Sequence, residues 1–227
     1  MTEVEKAEKQ AYQLPDNAFR ELKPGEEYEP IMRPDKVYPE VTPWSVSWGF
    51  VMVVLFSAAA AYLGLKVGQV FEAAIPIAII AIGLQQATHR KNAMGENVII
   101  QSIGACSGAV VAGAIFVLPA IYMLDLQASF FKIFLASALG GVLGILFLIP
   151  FRKYFVKDMH GKYPFPEATA TTQVIVSGEA ASASGDNSQA KTLLIASLIG
   201  GLYDYIVATF GFWAETITTT CMSWGQA

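Results

Sequence analysis

WSVSWGFVMVVLFSAAAAYLGL, Trp44–Leu65, runs for 22 residues without a charge. As a helix it would exceed a hydrocarbon core of about 30 Å, and Trp44 and Trp48 stand where a membrane interface would be. Four further runs share this texture: Val67–Ala87, Val98–Leu124, Ser129–Phe151 and Thr192–Ala214. They are continuous rather than alternating, which excludes a membrane β-barrel and predicts an all-α, polytopic transmembrane helix bundle of about five spans. Composition agrees. Of 227 residues, 54% are apolar and 15% charged, against about 25% charge in an ordinary soluble domain.

Upstream of this block the texture differs. Residues 1–43 hold six basic and ten acidic residues, whereas 44–227 hold nine of each, so the net charge of −4 resides in the first segment. That segment also carries Pro15, Pro24, Pro30, Pro34, Pro39 and Pro43 and no helical apolar stripe. It reads as a disordered, solvated tail (1–43) ahead of a transmembrane domain (44–227). Basic residues then alternate between loops. The tail, the His89–Lys91 loop and the Arg152–Lys191 stretch are rich, while the joints at Lys66 and Asp125 are poor. By the positive-inside rule the N-terminus is cytoplasmic and the protein is a multi-pass component of the cell (plasma or inner) membrane. Tyr163–Gly178, YPFPEATATTQVIVSG, is short for a span and long for a loop. It reads as a re-entrant segment, followed by a polar linker, SGEAASASGDNSQAK.

Several function classes drop out. No basic patch points to nucleic acid. Cys106 and Cys221 stand far apart without a CxxC pattern, and neither GxSxG, HExxH nor a P-loop occurs, so no enzyme, metal centre or cofactor is expected. Small residues at a spacing of four (Gly104/Gly108, Gly140/Gly144) read as close helix packing. The chemistry-bearing candidates are polar groups at membrane depth. Glu72 is followed one turn later by Pro76, and a proline-broken helix with an ionisable group suits a transport site. An interfacial position for Glu72 is the competing reading. Asp204, between two tyrosines, suits either a proton or substrate pathway or a structural pairing. Asn97, Gln101, Gly104 and Gly108 share one helical face, which suits either a ligand or interhelical hydrogen bonding.

Three stretches carry a resemblance. GENVIIQSIGACSGAVVAGAIFVLPAIYML (95–124) resembles the ENT-V-IQ-T signature of the oligopeptide transporter family, in the branch near the yellow-stripe-like metal-chelate transporters. AYLGLKVGQVFEAAIPIAIIAIGL (61–84) is similar to its second-span region, and HGKYPFPEATATTQVIVSGEA (160–180) to its YP–TA element. The resemblance covers roughly 44–180 and implies a proton-coupled secondary importer of short peptides, peptide derivatives or metal chelates. Carried over, its signature falls on Glu96, Asn97 and Gln101, and its YP–TA element on Tyr163, Pro164, Thr169 and Ala170. Ser102 departs from the usual threonine. Glu167 stands where a small residue is common, which favours a cation or protonated amine as substrate. Such transporters have a dozen or more spans, so the chain is expected to be an N-terminal part, with remaining spans or a second subunit as partner. The alternative is a non-transporting helical membrane subunit or scaffold, or an inactive fragment.

Overall fold

The computed structural model describes residues 14–68, 70–90, 92–126, 129–184 and 188–210. Positions 67, 183, 184, 188–191, 193, 194, 197, 204 and 208 are described by backbone alone. The described residues form helices and connecting coil without strands. Six α-helices follow in order: α1 (Pro43–Val67), α2 (Ala74–Ala87), α3 (Met94–Met123), α4 (Phe130–Lys153), α5 (Pro166–Ser184) and α6 (Ser188–Phe210). A π-helical turn, Tyr154–Asp158, prolongs α4. Three helical stretches are long and apolar enough to cross a membrane: Pro43–Lys66, Met94–Met123 and Phe130–Asp158.

Local chemistry sets the ends of α1. The Thr42 hydroxyl accepts from the Ser45 N–H at 3.1 Å, while Ser45 Oγ accepts from the Thr42 N–H at 3.0 Å. Pro43 occupies the first turn, where its missing N–H costs nothing. The helix stops at Gly68, which takes φ +76° and donates its N–H to the Gly64 carbonyl.

The second expected span, Val67–Ala87, is realised in an unexpected form. After Gly68 the chain reverses, residues 70–73 are not helical, and helix resumes only at Ala74. At 14 residues α2 is about 21 Å long, too short to cross alone. The non-helical stretch supplies the remainder. The Phe71 ring lies 6.2 Å from that of Phe56, the fourteenth of the 25 residues of α1. At the far end of α2, the Arg90 guanidinium sits over the Trp44 ring at 5.3 Å, beside the start of α1. Residues 70–73 therefore lie non-helically beside the middle of α1, and α2 runs from there toward the start of α1. Pro76 does not break this segment. It lies in the first turn of α2, where no intrahelical donor is needed, and the break precedes it.

Helices α1, α2 and α3 share a core of Met52, Phe56, Ala73, Ile77, Ala81 and Ile100. A second cluster joins Ala78 of α2, Met94 of α3 and Ile175 and Val176 of α5. Leu14, Ile31 and Met32 pack on this second cluster. From Leu14 onward, the segment read as a solvated tail is thus a strap laid on the helices. Apolar burial by those three side chains outweighs the solvation favoured by its proline and charge content. Helix α5 also exceeds the re-entrant segment at 163–178, because its small residues continue the helix through Ser184, into the stretch read as linker.

Helix α4 has no buried residues, and a Cβ at Gly140 or Gly144 would meet nothing within 4 Å. The packing expected at these two glycines is absent among the described residues. Gly104 is different: a Cβ there would lie 2.7 Å from Ile77 Cδ1 and 3.2 Å from Met52 Cβ. Helix α6 belongs to a separate compact unit and covers the expected span at 192–214 as far as Phe210; positions 211–214 lie outside the described residues.

Candidate functional site

The broken span opens a cleft. Its walls come from the start of α2 (Glu72 and Ala74), one face of α3 (Met94, Val98, Gln101) and the first half of α5 (Glu167–Val176). The strap closes one side with Tyr28, Ile31 and Met32. The volume is about 510 Å³, within the range of small-molecule sites. Most of the lining is apolar; Glu72, Gln101 and Glu167 add carboxylate and amide groups, and Tyr28, Thr171 and Thr172 add hydroxyls.

Glu72 stands beside Gly108, the fifteenth of the 30 residues of α3. A Cβ at Gly108 would stand 3.4 Å from the Phe71 carbonyl oxygen and 3.8 Å from Glu72 Oε2, both ordinary contact distances. The non-helical stretch therefore lies against the middle of α3. The Ala74 N–H donates to Glu72 Oε1 at 3.3 Å, so this carboxylate sits at the positive end of α2. Glu72 thus lies beside the middle of α3, at the start of α2. Glu167 occupies the equivalent first turn of α5. Two helix N-termini, each with a carboxylate, thus border one cleft.

The other candidates separate. Glu96 and Asn97 are both 1% exposed and do not line the cleft. Glu96 is locked by Arg90, whose Nε and Nη2 donate to its two oxygens at 2.8 and 2.7 Å. The Thr42 hydroxyl adds a third bond at 2.6 Å. This set ties the start of α1 to the start of α3. Asn97 Nδ2 donates to Gln85 Oε1, and Gln85 Nε2 donates to Glu179 at 2.7 Å. That chain crosses α3, α2 and α5. Within the signature, then, Glu96 and Asn97 hold helices together and Gln101 faces the cleft. Thr169 lines a different cleft, of about 1030 Å³, with Phe155, Tyr163 and Gln173. Asp204 lies in α6, but its side chain falls outside the described residues. No group of three or more His, Cys, Asp or Glu able to hold a metal occurs among the described residues.

Sequence reasoning missed Gln85, Arg90, Glu179 and the strap. Glu179 was hidden in a small-residue run read as linker. Its spacing from Ile175 and Thr171, one turn and two turns back on the buried face of α5, was the available signal.

A helical bundle of membrane-crossing length, carrying a discontinuous span with a carboxylate at its break, defines a polytopic membrane protein. Residues 40–225 match the family described as OPT oligopeptide transporter protein, and the chain belongs to that family, one of transporters rather than enzymes. A protein of Haemophilus influenzae (strain ATCC 51907 / DSM 11121 / KW20 / Rd) named "Putative oligopeptide transporter" is 33% identical over 147 residues. The match covers 64% of this chain and 22% of that protein, so the chain spans about a fifth of its relative's length. No solved structure matches.

Proposed function

We propose that this chain supplies the substrate-binding break of a secondary, proton-coupled importer of short peptides or related small compounds, acting in the cell membrane. The observation that carries the reading is the cleft itself: Glu72, from the non-helical stretch ahead of α2, Gln101 of α3 and Glu167 of α5 converge on it, and α2 and α5 begin there. Membrane transporters place substrates at such breaks because half-helix termini and freed backbone groups supply polarity at depth. The apolar walls suit side chains of varied shape. The two carboxylates suit the ammonium group of a peptide or another cationic centre. A proton would reach the same carboxylates, and this is the route proposed for coupling.

In this reading residues 44–227 form a membrane domain and 1–43 a cytoplasmic segment, as the loop charge bias favours. Helix α4, exposed all round, would pack against remaining transporter spans or a second subunit. The same exposure supports the second reading, a helical membrane subunit that serves assembly rather than transport. Thermal shifts of the purified protein separate the two. Di- to tetrapeptides or metal chelates stabilise a transporter by mass action, and none stabilises a scaffold.

A further inference from the structure

Glu179 is a buried carboxylate that the cleft does not use. It is 3% exposed and lies near the end of α5 that faces away from Glu167. The groups bonded to it are neutral donors: Gln85 Nε2 at 2.7 Å and the backbone N–H of Ala93. Gln85 is itself 2% exposed, and its oxygen is already taken by Asn97 Nδ2. The amide therefore has a fixed orientation, N–H toward α5 and C=O toward α3. About one turn along α5, Ser182 Oγ accepts from Gln86 Nε2 at 3.3 Å, a second side-chain link between α2 and α5.

This arrangement answers the ionised carboxylate better than the acid. A proton on Glu179 Oε2 would set an O–H against the N–H of Gln85, and a proton on Oε1 would remove the charge that strengthens the bonds Glu179 accepts. The amide can turn to present its oxygen only by presenting N–H to the Asn97 amide donor. The buried chain Asn97–Gln85–Glu179 is thus strongest with Glu179 ionised and weakens on protonation. Among the described residues, the other charged groups on the surrounding elements are otherwise engaged or distant. Arg90 and Glu96 pair with each other, Glu40 lies against Gly95, His89 is exposed, and Glu72 and Glu167 are at the opposite ends of α2 and α5.

We propose that Glu179 is a proton-operated latch: ionised, it holds α5 on α2 and α3 through Gln85, and protonated, it lets α5 move and so widens the cleft that α5 walls. Glu179 is a positioning residue here, acting on the cleft through the backbone of α5. The inference goes beyond the transport reading, since it concerns the position of α5 whatever the cleft binds.

The test is a distance measurement between spin labels on the full chain in lipid nanodiscs. Cys106 and Cys221 are replaced by serine, and labels are placed at exposed Ser177 of α5 and exposed Val110 of α3. Between pH 8 and pH 5 the distance distribution is expected to shift or broaden. In Glu179→Gln, which mimics the acid without changing shape, the distribution should stay at the low-pH form at both values. Glu179→Asp should restore a pH-dependent shift. A pH-dependent shift that persists in Glu179→Gln, or its absence in the parent chain, overturns the latch. Peptide uptake is not part of this readout, so its failure and the failure of the transport reading are distinguishable.

Discussion

Gly108 stands against Phe71: the place where a Cβ would be lies 3.4 Å from the Phe71 carbonyl oxygen. That is ordinary contact distance, so the site admits a methyl group and nothing larger without moving the chain that carries Glu72. This one approach decides where the break in the second span sits, half-way along α3.

Gly108→Ala is accordingly expected to leave stability within about 1 kcal/mol of the parent, with ligand-induced thermal shifts retained. Gly108→Leu should displace residues 71–72 and abolish those shifts. Gly104→Ala is the contrast, because its methyl would meet Ile77 Cδ1 at 2.7 Å and Met52 Cβ at 3.2 Å. Overpacking of that kind costs about 1–3 kcal/mol. Combining it with Ile77→Val should recover part of the loss. Thermal unfolding of the four variants in detergent reads both contrasts.

The Arg90–Glu96 pair predicts an asymmetry. Glu96 has a side chain only 2% exposed and Arg90 one 39% exposed. Arg90→Ala strands a buried carboxylate and should cost about 3 kcal/mol, the low end for broken buried pairs. Glu96→Gln strands a guanidinium that can still reach water and should cost roughly 1 kcal/mol. Equal losses in thermal unfolding would contradict the burial assignment.

The strap predicts an acid response distinct from the latch. Glu26 is held down to about 2, first by the Arg20 guanidinium and then by the Lys23 N–H. The ordinary value is 4.5, so the folded group is the stronger acid. The contribution is therefore present above about pH 4.5 and is lost as pH falls toward 2. Hydrogen exchange at the Lys23 and Glu26 amides should quicken over that window. Arg20→Ala should remove most of the change.

How much of this was legible depended on what each stretch had to say. Trp44–Leu65, Val98–Leu124 and Ser129–Phe151 were plain, because uninterrupted apolar length is itself the physical requirement for crossing a membrane. The broken second span was not, since residues 67–87 are apolar whether helical or extended. Gly68 marked the helix end, while Pro76 misdirected attention to a position where proline is harmless. Gln101, Glu72 and Glu167 were found as polar groups in apolar runs, though their meeting in one cleft is a tertiary fact. Glu179 went unread because burial came from Gln85 and Ala93, elements distant in sequence, and its neighbours are alanines and serines typical of linkers. The strap was hidden by composition: Leu14, Tyr28, Ile31 and Met32, which pack or line the cleft, are scattered through a charged, proline-rich stretch.

The central claim is that Glu72, Gln101 and Glu167 form a substrate site in a proton-coupled importer. Uptake of labelled di- to tetrapeptides and metal chelates into proteoliposomes of the full-length protein tests it most directly, with and without an inward proton gradient. The account predicts uptake driven by the gradient. Glu72→Gln, Gln101→Ala and Glu167→Gln should each lower it by about tenfold, equivalent to about 1.4 kcal/mol of lost interaction. Gly140→Ala, on the open face of α4, should transport as the parent does. Absence of uptake for every peptide and chelate under both conditions, or uptake unchanged in all three cleft variants, would contradict it.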